Sequence, residues 1–128
     1  MVKKGEPAEE VKSFLLRSPK EISELFKTIA HSKRLMVLAL LMNEDSKPFL
    51  SLQHETSMSK TALANHLAQL ISKNLIDRIE RGSYRITKDG QELLNAAVIV
   101  YRDSKIGREK ANSKRLKELF YTDSSKAY

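Results

Sequence analysis

A chain of 128 residues with 41% hydrophobic and 30% charged residues has the balance of one soluble globular domain built on a single core. It contains no cysteine, which excludes disulfides, thiolate metal sites and cysteine nucleophiles, and no apolar run nears the roughly 18 residues of a membrane helix. The net charge of +7 is concentrated: residues 59–88 carry six basic and two acidic side chains and residues 105–128 carry seven and three, an excess that favours a polyanionic partner because each neutralised phosphate releases condensed counterions.

The first residues, Met1-Val-Lys-Lys-Gly-Glu, lead into Glu9-Glu10 rather than into an apolar stretch. They lack the plan of a secretory signal, and a cytoplasmic location is expected. Pro7 followed by two glutamates reads as a helix start, with Val11, Phe14 and Leu15 on one face. Ser18-Pro19-Lys20-Glu21 has the form of a capping box and predicts a second helix to about Ala30, with Ile22, Leu25, Phe26 and Ile29 inward. His31 or Ser32 can cap a third helix, whose residues Leu35, Val37, Leu38, Leu40, Leu41 and Met42 make it the buried centre.

Asn43 to Pro48 breaks that helix. A short helix then spans Leu50 to Glu55, Thr56-Ser57-Met58 forms a turn, and Ser59 caps a helix running through Leu63, Leu67, Leu70 and Ile71 to Lys73. Asn74 suits the left-handed position that ends it. The period then switches from helical to alternating over Ile76–Glu80 and Ser83–Thr87, around Arg81-Gly82, which predicts a short hairpin. In a two-residue loop Ile79 faces Tyr84 on the inner side and Arg78 lies opposite Arg85 on the outer side. Such a like-charge pair is costly unless a phosphate comes between. Thr87-Lys88-Asp89-Gly90 opens a further helix with more apolar surface, at Leu93, Leu94, Ala97, Val98, Val100 and Tyr101, than a monomer's last helix needs. Beyond Gly107 the chain is basic, with Leu116, Leu119 and Phe120 as a small apolar cluster.

The expected architecture is mainly α with a small β-hairpin. Residues 1–18 form a helical extension, 19–90 a winged helix-turn-helix, 91–121 a dimerisation helix with a basic helical segment, and 122–128 a frayed tail. In such a domain the second helix of the pair enters the major groove. At about 100° per residue, Leu63, His66, Leu67 and Leu70 share one face of the Ser59–Lys73 helix, and Lys60, Thr61, Ala64, Asn65 and Ala68 share the other. The outward face is small, polar and basic, as groove entry requires: Asn65 can hydrogen-bond adenine and Lys60 a guanine or a phosphate. The residues expected to meet DNA are Lys60, Thr61, Ala62, Asn65 and Gln69 in the groove, Ser57 and Ser59 near phosphates, and Arg78, Arg81 and Arg85 on the wing.

Ile29-Ala30-His31-Ser32-Lys33-Arg34-Leu35, then Met58 to Leu67, then Asn74-Leu75-Ile76 resemble the ArsR-like winged-helix repressors over roughly Glu21 to Ala97. MarR-like and other archaeal or bacterial winged-helix regulators are close alternatives. The resemblance implies a repressor-type regulator and a homodimer formed through the first and last helices, which places Leu93, Leu94, Ala97, Val100 and Tyr101 at the interface. Many relatives sense metals through a cysteine motif before the turn; Leu50 to Thr56 has none. The usual aspartate-proline helix start is replaced by His31-Ser32.

His31, His54 and His66 do not have the spacing of a helical zinc site, and no phosphate loop, nucleophile elbow or catalytic carboxylate pair is present. No metal, no cofactor and no enzymatic activity are expected; the expected partners are double-stranded DNA and a second copy of the chain, with no membrane. Two other roles stay open: a chromatin-like, weakly specific DNA binder, and a winged helix that binds protein. The sequence names no effector.

Overall fold

A computed structural model describes residues 8–126, with the backbone alone for residues 116, 117 and 119–126. Pro7, expected in the first helical turn, and the cluster Leu116, Leu119 and Phe120 therefore lie outside the described residues or side chains. The elements in chain order are α1 (Ala8–Arg17), α2 (Pro19–Ile29), α3 (Ser32–Leu41), β1 (Lys47–Pro48), α4 (Phe49–Thr56), α5 (Lys60–Ser72), β2 (Ile76–Glu80), β3 (Ser83–Ile86), α6 (Lys88–Asp103) and α7 (Lys105–Lys126). The mainly helical winged helix-turn-helix expected from the sequence is the fold observed. Two compact units divide between Gln91 and Glu92.

The first unit is organised around α3. Val37, Leu38 and Leu41 are fully buried there, joined by Leu52 of α4, by Leu63, Leu67 and Leu70 of α5, and by Leu75, Ile76, Tyr84 and Ile86 around the sheet. Leu35, Leu40 and Met42 are half-buried, so one side of α3 carries the core. Phe26 of α2, expected inward, is 53% exposed, while Ile29 is buried as expected.

The capping box at Ser18 does not form. The Ser18 hydroxyl makes no cap bond and its backbone (φ −134°, ψ 42°) is not the extended conformation that aims a cap at its helix. Its N–H, the group Glu21 would have bonded, already donates to the carbonyls of Phe14 and Leu15 at 3.1 and 3.3 Å, closing α1. One residue cannot both end one helix and complete the reciprocal cap of the next. Left-handed Asn74 (φ 59°) ends the α5 region as predicted.

The sheet has three strands in the order β1-β3-β2, all antiparallel, not the two of a lone hairpin. The added strand is two residues long, Lys47 opposite Tyr84 and Pro48 opposite Ser83. Lys47 is held there by its ammonium, 2.8 Å from Glu55 of α4, and the bond to Glu55 raises the lysine's pKa above its ordinary value.

After the sheet, the Thr87 hydroxyl accepts from Gly90 N–H at 3.0 Å and donates to the Asn74 carbonyl at 2.7 Å, capping α6 and tying it to the end of α5. Gly90 is buried, and a Cβ there would collide with the Leu75 carbonyl oxygen and the Ile86 side chain.

In the second unit, the Ser104 hydroxyl accepts from Gly107 N–H at 3.0 Å and donates to the Tyr101 carbonyl at 2.6 Å, so α6 ends and α7 begins within one residue. Gly107 is buried at this corner, where any Cβ would meet the Tyr101 carbonyl. The α7 helix is described to Lys126, and residues 127–128 lie outside the described ones.

Candidate nucleic-acid interface

The helix-turn-helix is built by α4, a three-residue turn and α5. At its pivot, buried Thr56 donates its hydroxyl to the Leu52 carbonyl at 2.7 Å and offers its own carbonyl to the Lys33 ammonium at 3.0 Å. Ser57 takes a left-handed conformation (φ 56°, ψ 28°) that ends α4. Ser59, extended at φ −66° and ψ 157°, caps α5 by accepting from Ala62 N–H at 3.1 Å. That acceptor role leaves the Ser59 O–H able to donate outward, and both Ser57 and Ser59 are exposed.

With Leu63, Leu67 and Leu70 driven into the core, α5 leaves Lys60, Thr61, Ala64, Asn65, Ala68 and Gln69 exposed. Ala62, included among the expected groove residues, is half-buried. No acidic residue occurs anywhere in α5. The exposed face therefore combines hydrogen-bonding groups, one cation and two methyls small enough to allow close approach.

Beneath α5, a polar cluster fixes its attachment to α2 and α3. The Arg34 guanidinium donates through Nε to His66 Nδ1 at 3.0 Å and through Nη1 to the Thr28 carbonyl at 3.1 Å. The His31 ring lies 4.4 Å from that of His66, centroid to centroid, and His31 Nδ1 caps α3 by accepting from Lys33 N–H at 3.2 Å. His66 can accept from Arg34 only while neutral. Burial, then the neighbouring charges of His31 and Arg34, hold its pKa below the ordinary imidazole value.

A base whose pKa is depressed by folding binds more protons when unfolded, so its contribution to stability is present above the unfolded value, about 6.5, and is lost as pH falls through the lower folded value. The denaturation midpoint should therefore decline between about pH 7.5 and pH 5.5. In His66→Gln, which retains an acceptor but does not titrate, that decline should be smaller; identical declines in the two proteins would remove His66 from the account.

The wing places Arg81-Gly82 at its tip, between the paired residues Glu80 and Ser83, with Gly82 left-handed at φ 70°. The Gly82 carbonyl accepts from Phe49 N–H, fastening the tip to the start of α4. The expected register fails on the tip's N-terminal side, where a bulge between Arg78 and Glu80 leaves Ile79 unpaired. Tyr84 faces Arg78 rather than Ile79, and Arg85 faces Asp77 rather than Arg78. Since opposed residues project to one face, Arg78 shares the face of buried Tyr84 and Arg85 lies on the other, 3.6 Å from the Asp77 carboxylate. The opposed arginine pair does not exist, and a phosphate is not needed to explain it. Arg78, Arg81 and Arg85 are all exposed, on different sides of the wing.

Of the residues expected at a dimer interface, Leu93 and Ala97 are half-buried, while Val100 and Tyr101 are exposed at 71% and 55%. Leu94 differs from these in being largely buried within the single chain, at 9% exposure. Ile99, outside the expected set, joins Val98, Val100 and Tyr101 in a continuous exposed apolar run. Val11, Leu15 and Leu16 of α1 are exposed as well. No group of three or more metal-ligating side chains occurs among the described residues, and no helix among them is long and apolar enough to cross a membrane.

Among solved structures, the chain is similar to the transcriptional repressor BigR from Xylella fastidiosa, with 19% identity and a TM-score of 0.59 over 73% of this chain and 98% of that one. It is similar to the transcriptional regulator HlyU from Vibrio vulnificus, with 22% identity and a TM-score of 0.56 over 70% and 96% of the two chains. It is also similar to the homodimeric winged helix-turn-helix DNA-binding domain Mb0332 from Mycobacterium bovis, described as a possible ArsR-family transcriptional regulator, with 25% identity and a TM-score of 0.56 over 77% and 89%. These neighbours are regulators rather than enzymes. No protein-family model and no curated protein matches the chain.

Proposed function

We propose, from this shared winged helix-turn-helix fold, that the chain is a cytoplasmic, sequence-specific DNA-binding transcription regulator of repressor type that reads palindromic operators as a homodimer. The observation that carries the proposal is the outward face of α5: Lys60, Thr61, Asn65 and Gln69 around Ala64 and Ala68, without a carboxylate. A helix inserted into the major groove needs donors for base edges and small side chains between them, and an acidic residue would be repelled by the phosphates. Ser57, Ser59 and Arg81 supply backbone contacts at the two ends of the surface, with Arg78 and Arg85 flanking the tip.

Two copies related by a twofold axis would present their α5 helices to half-sites about one helical turn apart. The exposed run Val98–Tyr101 supports the dimer, since four consecutive exposed apolar residues are a liability unless another surface covers them.

The test is selection from a pool of random duplexes at two salt concentrations. An enriched palindrome supports the proposal; binding without enrichment points to a chromatin-like role, and absence of binding to a protein-interaction module. On the selected operator, Asn65→Ala should cost about 1–3 kcal/mol and relax discrimination at one position in each half-site, whereas Arg81→Ala should weaken all sequences alike and make the salt dependence shallower. Equal loss on specific and nonspecific duplexes in Asn65→Ala would remove Asn65 from base recognition.

A further inference from the structure

We propose that the cationic stretch of α7 from Lys105 to Arg115 is a second phosphate-binding surface, which takes the backbone of duplex DNA outside the half-sites read by α5. The proposal rests on the DNA-binding function above and adds a site to it.

The stretch is a separate helix rather than a trailing end of α6. Ser104 turns the chain by bonding both Tyr101 and Gly107, and Gly107 is the residue type that lets the backbone pass the Tyr101 carbonyl. Beyond that corner every residue from Arg108 to Arg115 is exposed, as are Lys105 and Ile106. Five cations, Lys105, Arg108, Lys110, Lys114 and Arg115, stand against one carboxylate, Glu109.

None of the five makes an ion pair with another described residue. At about 100° per residue, Lys105, Arg108 and Arg115 fall within about 80° of one face over about 15 Å of helix, while Lys110 and Lys114, a like-charge pair one turn apart, lie on the other side. An anion array relieves that repulsion. Duplex DNA, with one charge per roughly 1.7 Å of axis, supplies an anion array dense enough to pair every cation on the Lys105, Arg108 and Arg115 face.

A lipid surface fits less well. A helix that lies on a membrane needs an apolar stripe, and the only large apolar side chain in this stretch is Ile106, with Ala111 about 140° away around the helix. DNA is favoured over other polyanions because α7 is covalently continuous, through α6, with the DNA-reading unit, so duplex held there is presented at high effective concentration. As a set of phosphate contacts, it contributes to affinity and salt dependence rather than to sequence choice.

The test compares the full chain with the triple variant Lys105→Gln, Arg108→Gln, Arg115→Gln, which strips the three-cation face and whose glutamines keep the helix propensity. The probes are the selected operator alone, the same operator extended by about ten base pairs on each side, and vesicles containing anionic lipid. Flanks should tighten binding of the native chain and steepen its salt dependence. The variant should bind the short operator with unchanged sequence preference, gain nothing from flanks, and show a log–log salt slope on the long duplex shallower by about 2–3, at about 0.9 per phosphate lost. Equal slopes for the two proteins on the long duplex overturn the proposal. So does vesicle binding that depends on these residues without any effect of flanks. Failure of the native chain to bind even the short operator brings down the DNA-binding function itself, and is recognised by that.

Discussion

Gly90→Ala is expected to destabilise the chain by about 3 kcal/mol, although glycine to alanine in a helix ordinarily stabilises by about 1 kcal/mol. The reversal comes from the obstacle. The new methyl group would enter space held by the Leu75 carbonyl oxygen and the Ile86 side chain. Ile86 can shift a little, but the Leu75 carbonyl is committed to Thr87 N–H at 3.0 Å. Overpacking against backbone falls at the upper end of the usual range of about 1–3 kcal/mol. At roughly 4 °C per kcal/mol for a chain of this length, the melting temperature should drop by about 10 °C. A variant that melts at or above the native temperature would show that Leu75 and Ile86 make room for the methyl without cost.

Val100→Asp is expected to convert a dimer to monomers while leaving each protomer folded. Val100 is 71% exposed in the single chain, so a carboxylate there meets water in the monomer and costs it little. In a twofold interface two such carboxylates would be desolvated together, without partners. A penalty of about 3 kcal/mol already weakens association more than a hundredfold. Sedimentation velocity across a range of concentrations should show the monomer alone, and operator affinity should fall with the lost avidity. Leu94→Asp is the contrasting case: Leu94 is buried, so its replacement should lower the melting temperature as well. Unchanged sedimentation of Val100→Asp moves the interface away from α6.

What could be read in the sequence follows the reach of each signal. The outward face of α5 was legible because helical periodicity alone sorts Leu63, Leu67 and Leu70 from Lys60, Thr61, Ala64, Asn65 and Ala68, and burial respects that sorting. The same holds for Ser59 and Asn74, whose roles at helix ends are local. The wing's register was not legible, because the bulge at Ile79 changes which residues pair without requiring any distinctive residue type. Strand β1 was hidden for a related reason: two residues, one of them proline, carry no alternation, and their pairing with β3 spans more than thirty positions of sequence. Ser18 matched a local pattern that its own neighbours had already used up. Phe26 followed the apolar period of α2, yet faces outward, since periodicity marks an apolar face but not whether the same chain covers it. Neither the Arg34–His66 bond nor the Phe49–Gly82 tie had a sequence signal, each joining residues about thirty positions apart.

The bulge that displaced the wing's register also governs how the sheet meets other molecules. A three-stranded sheet has two edges, and each unpaired edge is a template onto which a foreign strand can add. On one side β1 is only two residues long and ends in Pro48, which has no N–H to offer. On the other, β2 carries Asp77, Arg78 and Glu80 and is kinked at Ile79. Short length, proline, charge and a bulge are the features by which edges resist strand addition. The sheet's edges are therefore guarded against fibrillar self-association, and straightening β2 by deleting Ile79 would remove that protection.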